Sequence, residues 1–139
     1  MTGRRAVAGT VGIVLVSHSG PVAESVAALA LGLAGGAQAP VAAAGGTPDG
    51  GLGTSAELIA EAARSVDGGA GVALLVDLGS AVLTVKAMVA EGDELPESAR
   101  LVDAPFLEGA VAAVVTASTG ADLTAVATAA GEAYGYRKE

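Results

Sequence analysis

Val11-Gly12-Ile13-Val14-Leu15-Val16, followed at once by Ser17-His18-Ser19-Gly20-Pro21, is the stretch that decides the fold. The first part is short, continuously apolar and rich in β-branched residues, which marks a strand buried on both faces, as in a parallel sheet. The polar Ser-His-Ser-Gly ends it. Pro21 suits the start of a helix, where its missing N–H costs nothing. Val22, Val26, Leu29, Ala30 and Leu33 then recur at helical spacing, with Glu24 and Ser25 off the stripe, and Gly35-Gly36 stops the helix.

The same alternation continues outward. A second strand is expected at 39–44, followed by a Gly/Pro/Asp loop over 45–53. Thr54-Ser55-Ala56-Glu57 has the form of a capping box, with Thr54 and Glu57 satisfying donors at a helix start. Leu58, Ile59, Ala62, Ala63 and Val66 form that helix's apolar side. A third apolar run, 71–76, ends in Asp77-Leu78-Gly79-Ser80 and leads into a helix over 81–91. Residues 100–103 read as a short edge strand, and helices follow over 106–117 and 122–134. The order β-α-β-α-β-α-β-α-α predicts an α/β fold: an open, mainly parallel four-stranded sheet, ordered 2-1-3-4, with helices on both faces. Residues 11–135 are expected to form one domain between tails at 1–10 and 136–139. The last two helices carry Ala110, Val111, Val114, Val115, Leu123 and Val126, more apolar surface than one sheet face requires, so a homodimer interface is expected there.

Composition narrows the function. The 139 residues carry a formal net charge of −8, and the chain has no cysteine, no tryptophan and 2% aromatic residues. Nucleic-acid binding needs clustered Lys and Arg and often stacking aromatics, and both are scarce. The absence of cysteine removes disulfides and thiolate chemistry and fits a reducing cytoplasm. Apolar stretches are interrupted before the ~20 residues of a membrane span, and no signal-peptide cleavage pattern follows the first. A soluble, cytoplasmic domain is expected.

In such sheets, ligands bind at the carboxyl ends of the strands, where strand order reverses. Three loops meet that description: 17–20, 45–53 and 77–80. His18 is the single histidine of the chain. Strands one and three are expected to be neighbours, so Asp77 would lie beside it, fix the tautomer and aim the other nitrogen outward, as the aspartate of a hydrolase triad does. Gly20-Pro21 and Gly79-Ser80 open the adjoining helices, whose free N–H groups suit phosphoryl oxygens. No P-loop and no dinucleotide fingerprint occurs. Gly50-Gly51-Leu52-Gly53 reads as a flexible spacer and Thr54 as a helix cap. One histidine and no cysteine make a metal site unexpected, and no cofactor is expected.

The blocks Val14-Leu15-Val16-Ser17-His18-Ser19, Gly53-Thr54-Ser55, Val76-Asp77-Leu78-Gly79-Ser80-Ala81 and Ala104-Pro105-Phe106-Leu107-Glu108-Gly109, in that order, make the chain similar to a known family. It resembles the mannose-type IIA proteins of the bacterial phosphotransferase system, and among them the phosphotransfer subunits of phosphoenolpyruvate-dependent dihydroxyacetone kinases. The resemblance implies a homodimer in which His18 is transiently phosphorylated and Asp77 hydrogen-bonds it, with Ser19, Gly20, Gly79 and Ser80 in the phosphoryl-binding loops. It implies that the phosphoryl group comes from HPr and passes to ADP held in the kinase subunit DhaL, which works with DhaK. Some relatives carry fused HPr-like and enzyme I-like domains; with the sequence ending at Glu139, a separate donor is expected. Two alternatives stay open: a IIA component of a sugar transporter that passes phosphoryl to a IIB protein, and a non-catalytic regulatory or oligomerising domain.

Overall fold

The computed structural model describes residues 5–35 and 39–139. The strands are β1 (Gly12–Ser17), β2 (Val41–Gly45), β3 (Val72–Val76) and β4 (Ala99–Leu101). The helices are α1 (Gly20–Leu33), α2 (Ala56–Val66), α3 (Gly79–Glu91), α4 (Phe106–Ser118) and α5 (Leu123–Glu132). The sheet is ordered β2-β1-β3-β4 and its pairs are all parallel. This is the predicted α/β architecture.

Period-two alternation explains why β1 reads as continuously apolar. Ile13 and Leu15 face the layer of α1, α4 and α5, while Val14 and Val16 face α2 and α3. Neighbouring β3 divides likewise, with Leu75 on the first side and Leu74 on the second. All six are fully buried. Each such side chain contributes about 1.5–3 kcal/mol of burial. The central strands are therefore packed on both faces, and the loops leaving them start from anchored ends.

Two expectations change. In α1 the buried residues are Ala23, Ala27 and Ala30, while Val22, Leu29 and Leu33 are exposed. The alanines, spaced i, i+4, i+7, let the helix lie close to the sheet, so the larger apolar stripe turns outward. The second change concerns α4 and α5. Ala110, Val114 and Val126 are fully buried within the chain itself, and Val111 and Leu123 pack against the same core. Of the six residues assigned to a subunit interface, packing within one chain accounts for five, and Val115 is exposed.

The helix stop at Gly35-Gly36 lies partly outside the described residues; Gly35 has φ +59°, a left-handed geometry suited to a helix end. Met1–Arg4 of the N-terminal tail also lie outside them. The remaining tail runs along the end of α2, where Ala6 N–H donates to Ser65 O and Gly9 N–H to Gly68 O. No helix among the described residues is long and apolar enough to cross a membrane.

Candidate active site

β1 lies between β2 and β3 and ends level with them: Ser17 is opposite Gly45, and Val16 is opposite Val76. The ladder extends one bond further, Asp77 N–H to Val16 O at 3.1 Å. That register delivers His18 and Asp77 side by side. Imidazole Nδ1 is 3.0 Å from Asp77 Oδ1. The carboxylate has three more donors: Leu78 N–H on Oδ1 at 2.7 Å, and Ser17 Oγ–H at 2.8 Å and His18 N–H at 3.1 Å on Oδ2. Burial pulls the Asp77 pKa upward as the largest single influence. The hydrogen bonds, led by that of Ser17, outweigh it together and hold the carboxyl below its ordinary value of 3.8.

An ionised Asp77 accepts from Nδ1–H, so the neutral ring carries its proton there and leaves the lone pair on Nε2, a nitrogen able to accept a hydrogen bond or attack an electrophile. Nε2 points away from Asp77 and meets the Ser80 hydroxyl, which donates to it from the first turn of α3. Gly79 precedes Ser80 at the start of that helix. Ser19 and Gly20, also expected at the phosphoryl site, stand at the start of α1. Ser19 Oγ caps α1 by accepting from Val22 N–H, and its own N–H donates to Ser17 Oγ. Gly20 opens α1 beneath the end of β2, where an added Cβ would lie 3.4 Å from Gly45 O.

The glycine-rich stretch is not a loose spacer. Gly46 N–H donates to Ser17 O, and Gly53 N–H donates to His18 O at 2.9 Å. Between them, Thr47 N–H to Gly51 O and Gly50 N–H to Thr47 O close a tight turn, joined by bonds from Gly51 N–H to Thr47 Oγ1 and Asp49 Oδ1. The loop stays close because its glycines lack side chains. A Cβ on Gly45 would sit 2.3 Å from Ser19 O, and one on Gly46, at φ +69°, would sit 2.5 Å from Gly51 O.

Sequence reasoning passed over Ser17, the one buried polar side chain among the described residues. Its signal was available: a serine that continues a doubly buried strand needs a partner. The capping assignment also shifts by one residue. Ser55 has extended backbone angles and accepts from Leu58 N–H, so Ser55 caps α2. Thr54 Oγ1 is buried and has no hydrogen-bond partner in the protein.

Beyond Asp77, towards β4, lies a cleft of about 280 Å³ whose wall includes Val76, Asp77, Lys86, Asp103 and Tyr134. Tyr134 Oη–H donates to Asp103, and this bond, more than burial, raises the tyrosine pKa. Lys86 supplies the cation of that wall; loops 17–20, 45–53 and 77–80 contain none.

A family model described as PTS system fructose IIA component (EIIA-man) matches residues 12–127, a span that takes in all the groups around His18. The chain belongs to the EIIA-man family. Among curated proteins it is similar to the PEP-dependent dihydroxyacetone kinase, phosphoryl donor subunit DhaM, of Escherichia coli (strain K12), with 36% identity over 84% of this chain and 25% of that protein. It is also similar to the PEP-dependent dihydroxyacetone kinase 2, phosphoryl donor subunit DhaM, of Listeria innocua, with 35% identity over 76% of this chain and 84% of that protein. The chain thus spans about a quarter of the length of the Escherichia relative and most of the Listeria one. A crystal structure of the unknown function protein EF1359 superposes with a TM-score of 0.77 at 30% identity, covering 94% of this chain and 98% of that one. EIIA-man membership and this superposition agree with the sheet order described above.

Proposed function

We propose that this EIIA-man domain is a cytoplasmic phosphohistidine relay, the phosphoryl donor subunit of a phosphoenolpyruvate-dependent dihydroxyacetone kinase. His18 accepts a phosphoryl group from phospho-HPr and passes it to ADP in DhaL, which works with DhaK. The observation that carries this reading is the Nδ1–H bond to a fully donated carboxylate, which turns the Nε2 lone pair outward, where the Ser80 hydroxyl meets it. The printed names of the Escherichia and Listeria relatives support the choice of system.

The chemistry follows from the groups present. The donor's N–P bond breaks as the Nε2–P bond forms, and positive charge develops on the His18 ring. Asp77 faces that charge across Nδ1–H and stabilises it without taking the proton. Phosphoryl transfer depends on positioning and charge stabilisation more than on covalent help. Ser80 turns its hydroxyl from Nε2 to a phosphoryl oxygen, beside Gly79 at the start of α3. The loops carry no cation, so the partner proteins supply one. Leu52 and Leu78, 82% and 63% exposed, stand in the loops on either side of His18 and suit an exchange between proteins. The reading includes a homodimer, as the resemblance implies, and the exposed Val22, Leu29 and Leu33 on α1 and Val115 on α4 are apolar side chains left uncovered by the single chain.

Labelled phosphoenolpyruvate with enzyme I and HPr tests the reading. The chain should acquire an acid-labile phosphate that ADP-loaded DhaL then removes. Label that survives in His18→Ala would end the proposal; transfer to a IIB protein in place of DhaL would assign the chain to sugar transport.

A further inference from the structure

We propose that the Thr54 hydroxyl is a hydrogen-bond donor to the phosphoryl group on His18, a contact made in the phosphorylated state alone. The inference rests on the relay function proposed for His18 and names a further phosphoryl-binding residue for it.

Three observations converge. Thr54 Oγ1 is the one buried side-chain polar atom without a protein partner among the described residues. Leaving such a group unpaired costs about 1–3 kcal/mol, so its retention needs a reason. Capping is not that reason, because Ser55 caps α2. Position is the second observation. Gly53 N–H is bonded to His18 O at 2.9 Å, and Thr54 is the next residue, its Cα about 3.8 Å further along the chain.

The third is the hydrogen-bond accounting around the histidine. A phosphoryl group brings three acceptor oxygens and two negative charges. Ser17 Oγ–H is spent on Asp77, and so are the N–H groups of His18 and Leu78. Ser19 N–H is spent on Ser17 Oγ, while Ser19 Oγ accepts from Val22 N–H and keeps its own proton to donate. Gly46 and Gly53 N–H are spent on the carbonyls of Ser17 and His18. Of the side-chain hydroxyls in the His18 and Asp77 loops and at Thr54, those of Ser19, Ser80 and Thr54 remain able to donate, and among these Thr54 Oγ1 is the one with no hydrogen bond in the unphosphorylated protein. A contact that forms with the phosphoryl group and not before it stabilises the charged intermediate selectively.

Thr54→Val exchanges the hydroxyl for a methyl at constant shape, and Thr54→Ser keeps the hydroxyl. Urea unfolding of the unphosphorylated protein and the equilibrium ratio of phosphorylated to free chain, set against labelled HPr, are the two measurements. Thr54→Val should be at least as stable as the parent when unphosphorylated, and its phosphorylated fraction ratio should fall about tenfold, the scale of one charge-assisted bond. Thr54→Ser should stay near the parent ratio. An unchanged ratio in Thr54→Val overturns the proposal. So does a loss of stability in unphosphorylated Thr54→Val, which would mean that the hydroxyl already has a structural partner. Absence of label on the parent chain would instead overturn the relay reading itself.

Discussion

His18 is held from two sides by different means. On the β3 side the grip is made by side chains: Asp77 takes four hydrogen bonds, three of them from the Ser17–His18 segment, and Ser80 reaches Nε2. On the β2 side it is made by backbone, through Gly46 N–H to Ser17 O and Gly53 N–H to His18 O. The first grip sets charge and tautomer. The second sets only where the histidine backbone can be. They should therefore fail differently: damage on the β2 side displaces the whole loop, and damage on the β3 side leaves the loop in place with a mistuned imidazole.

The largest effect is expected from Gly45→Ala. The new Cβ would meet Ser19 O at 2.3 Å and Gly20 Cα at 2.8 Å, and both are backbone atoms that no rotamer change can move. A loss of about 3 kcal/mol is expected, the upper end for overpacking, together with loss of phosphoryl acceptance. Chemical denaturation and the labelling assay measure the two. A variant of parent stability would show that the β2 side is not a rigid support.

Asp77→Asn breaks the other side. One amide NH₂ must replace an oxygen that now accepts two donors. If it faces Oδ2's partners, Ser17 Oγ can turn to accept, but His18 N–H cannot; if it faces Oδ1's partners, Leu78 N–H cannot. A loss of about 1–3 kcal/mol follows from the donor left unpaired. The transfer rate should fall by a larger factor than stability accounts for, because Nδ1–H no longer faces a negative charge. Single-turnover transfer from phospho-HPr at a temperature where the variant is folded would check this. An unchanged rate would reduce Asp77 to a turn residue.

This asymmetry also explains what could be read from the sequence. The strands, their order and the His18–Asp77 pairing were legible because apolar runs and ionisable residue types announce themselves, and because parallel neighbours end together. The β2 grip was not legible. Gly46 and Gly53 act through N–H groups that every residue but proline possesses, and Gly45 acts by lacking a Cβ. Such a stretch reads the same whether it is loose or locked, and only the 2.3 Å clearance at Gly45 decides. Helix α1 misled for a related reason: an alanine face carries a weaker hydropathy signal than the Val22, Leu29 and Leu33 stripe, yet alanine is what close approach to the sheet selects.

The smallest effect comes from Ser17→Ala, and it separates charge from shape on the β3 side. Removing Oγ–H deletes the strongest of the influences that lower the Asp77 pKa and also leaves Ser19 N–H without its acceptor. A folded-state pKa held below 3.8 stabilises the protein above that value, and the stabilisation disappears as pH falls through the folded pKa, where native and unfolded chains are both protonated. In Ser17→Ala the folded pKa moves back toward 3.8, so this contribution shrinks. The stability gap between parent and variant should be widest near neutral pH, about 1–2 kcal/mol for a hydrogen bond to a charged group, and should narrow as the pH falls below 3.8. Urea unfolding in the two pH ranges reads it directly. A gap that stays constant with pH would mean that Ser17 holds the loop through Ser19 N–H alone, and the charge-setting role of the β3 side would then belong to the backbone donors of His18 and Leu78.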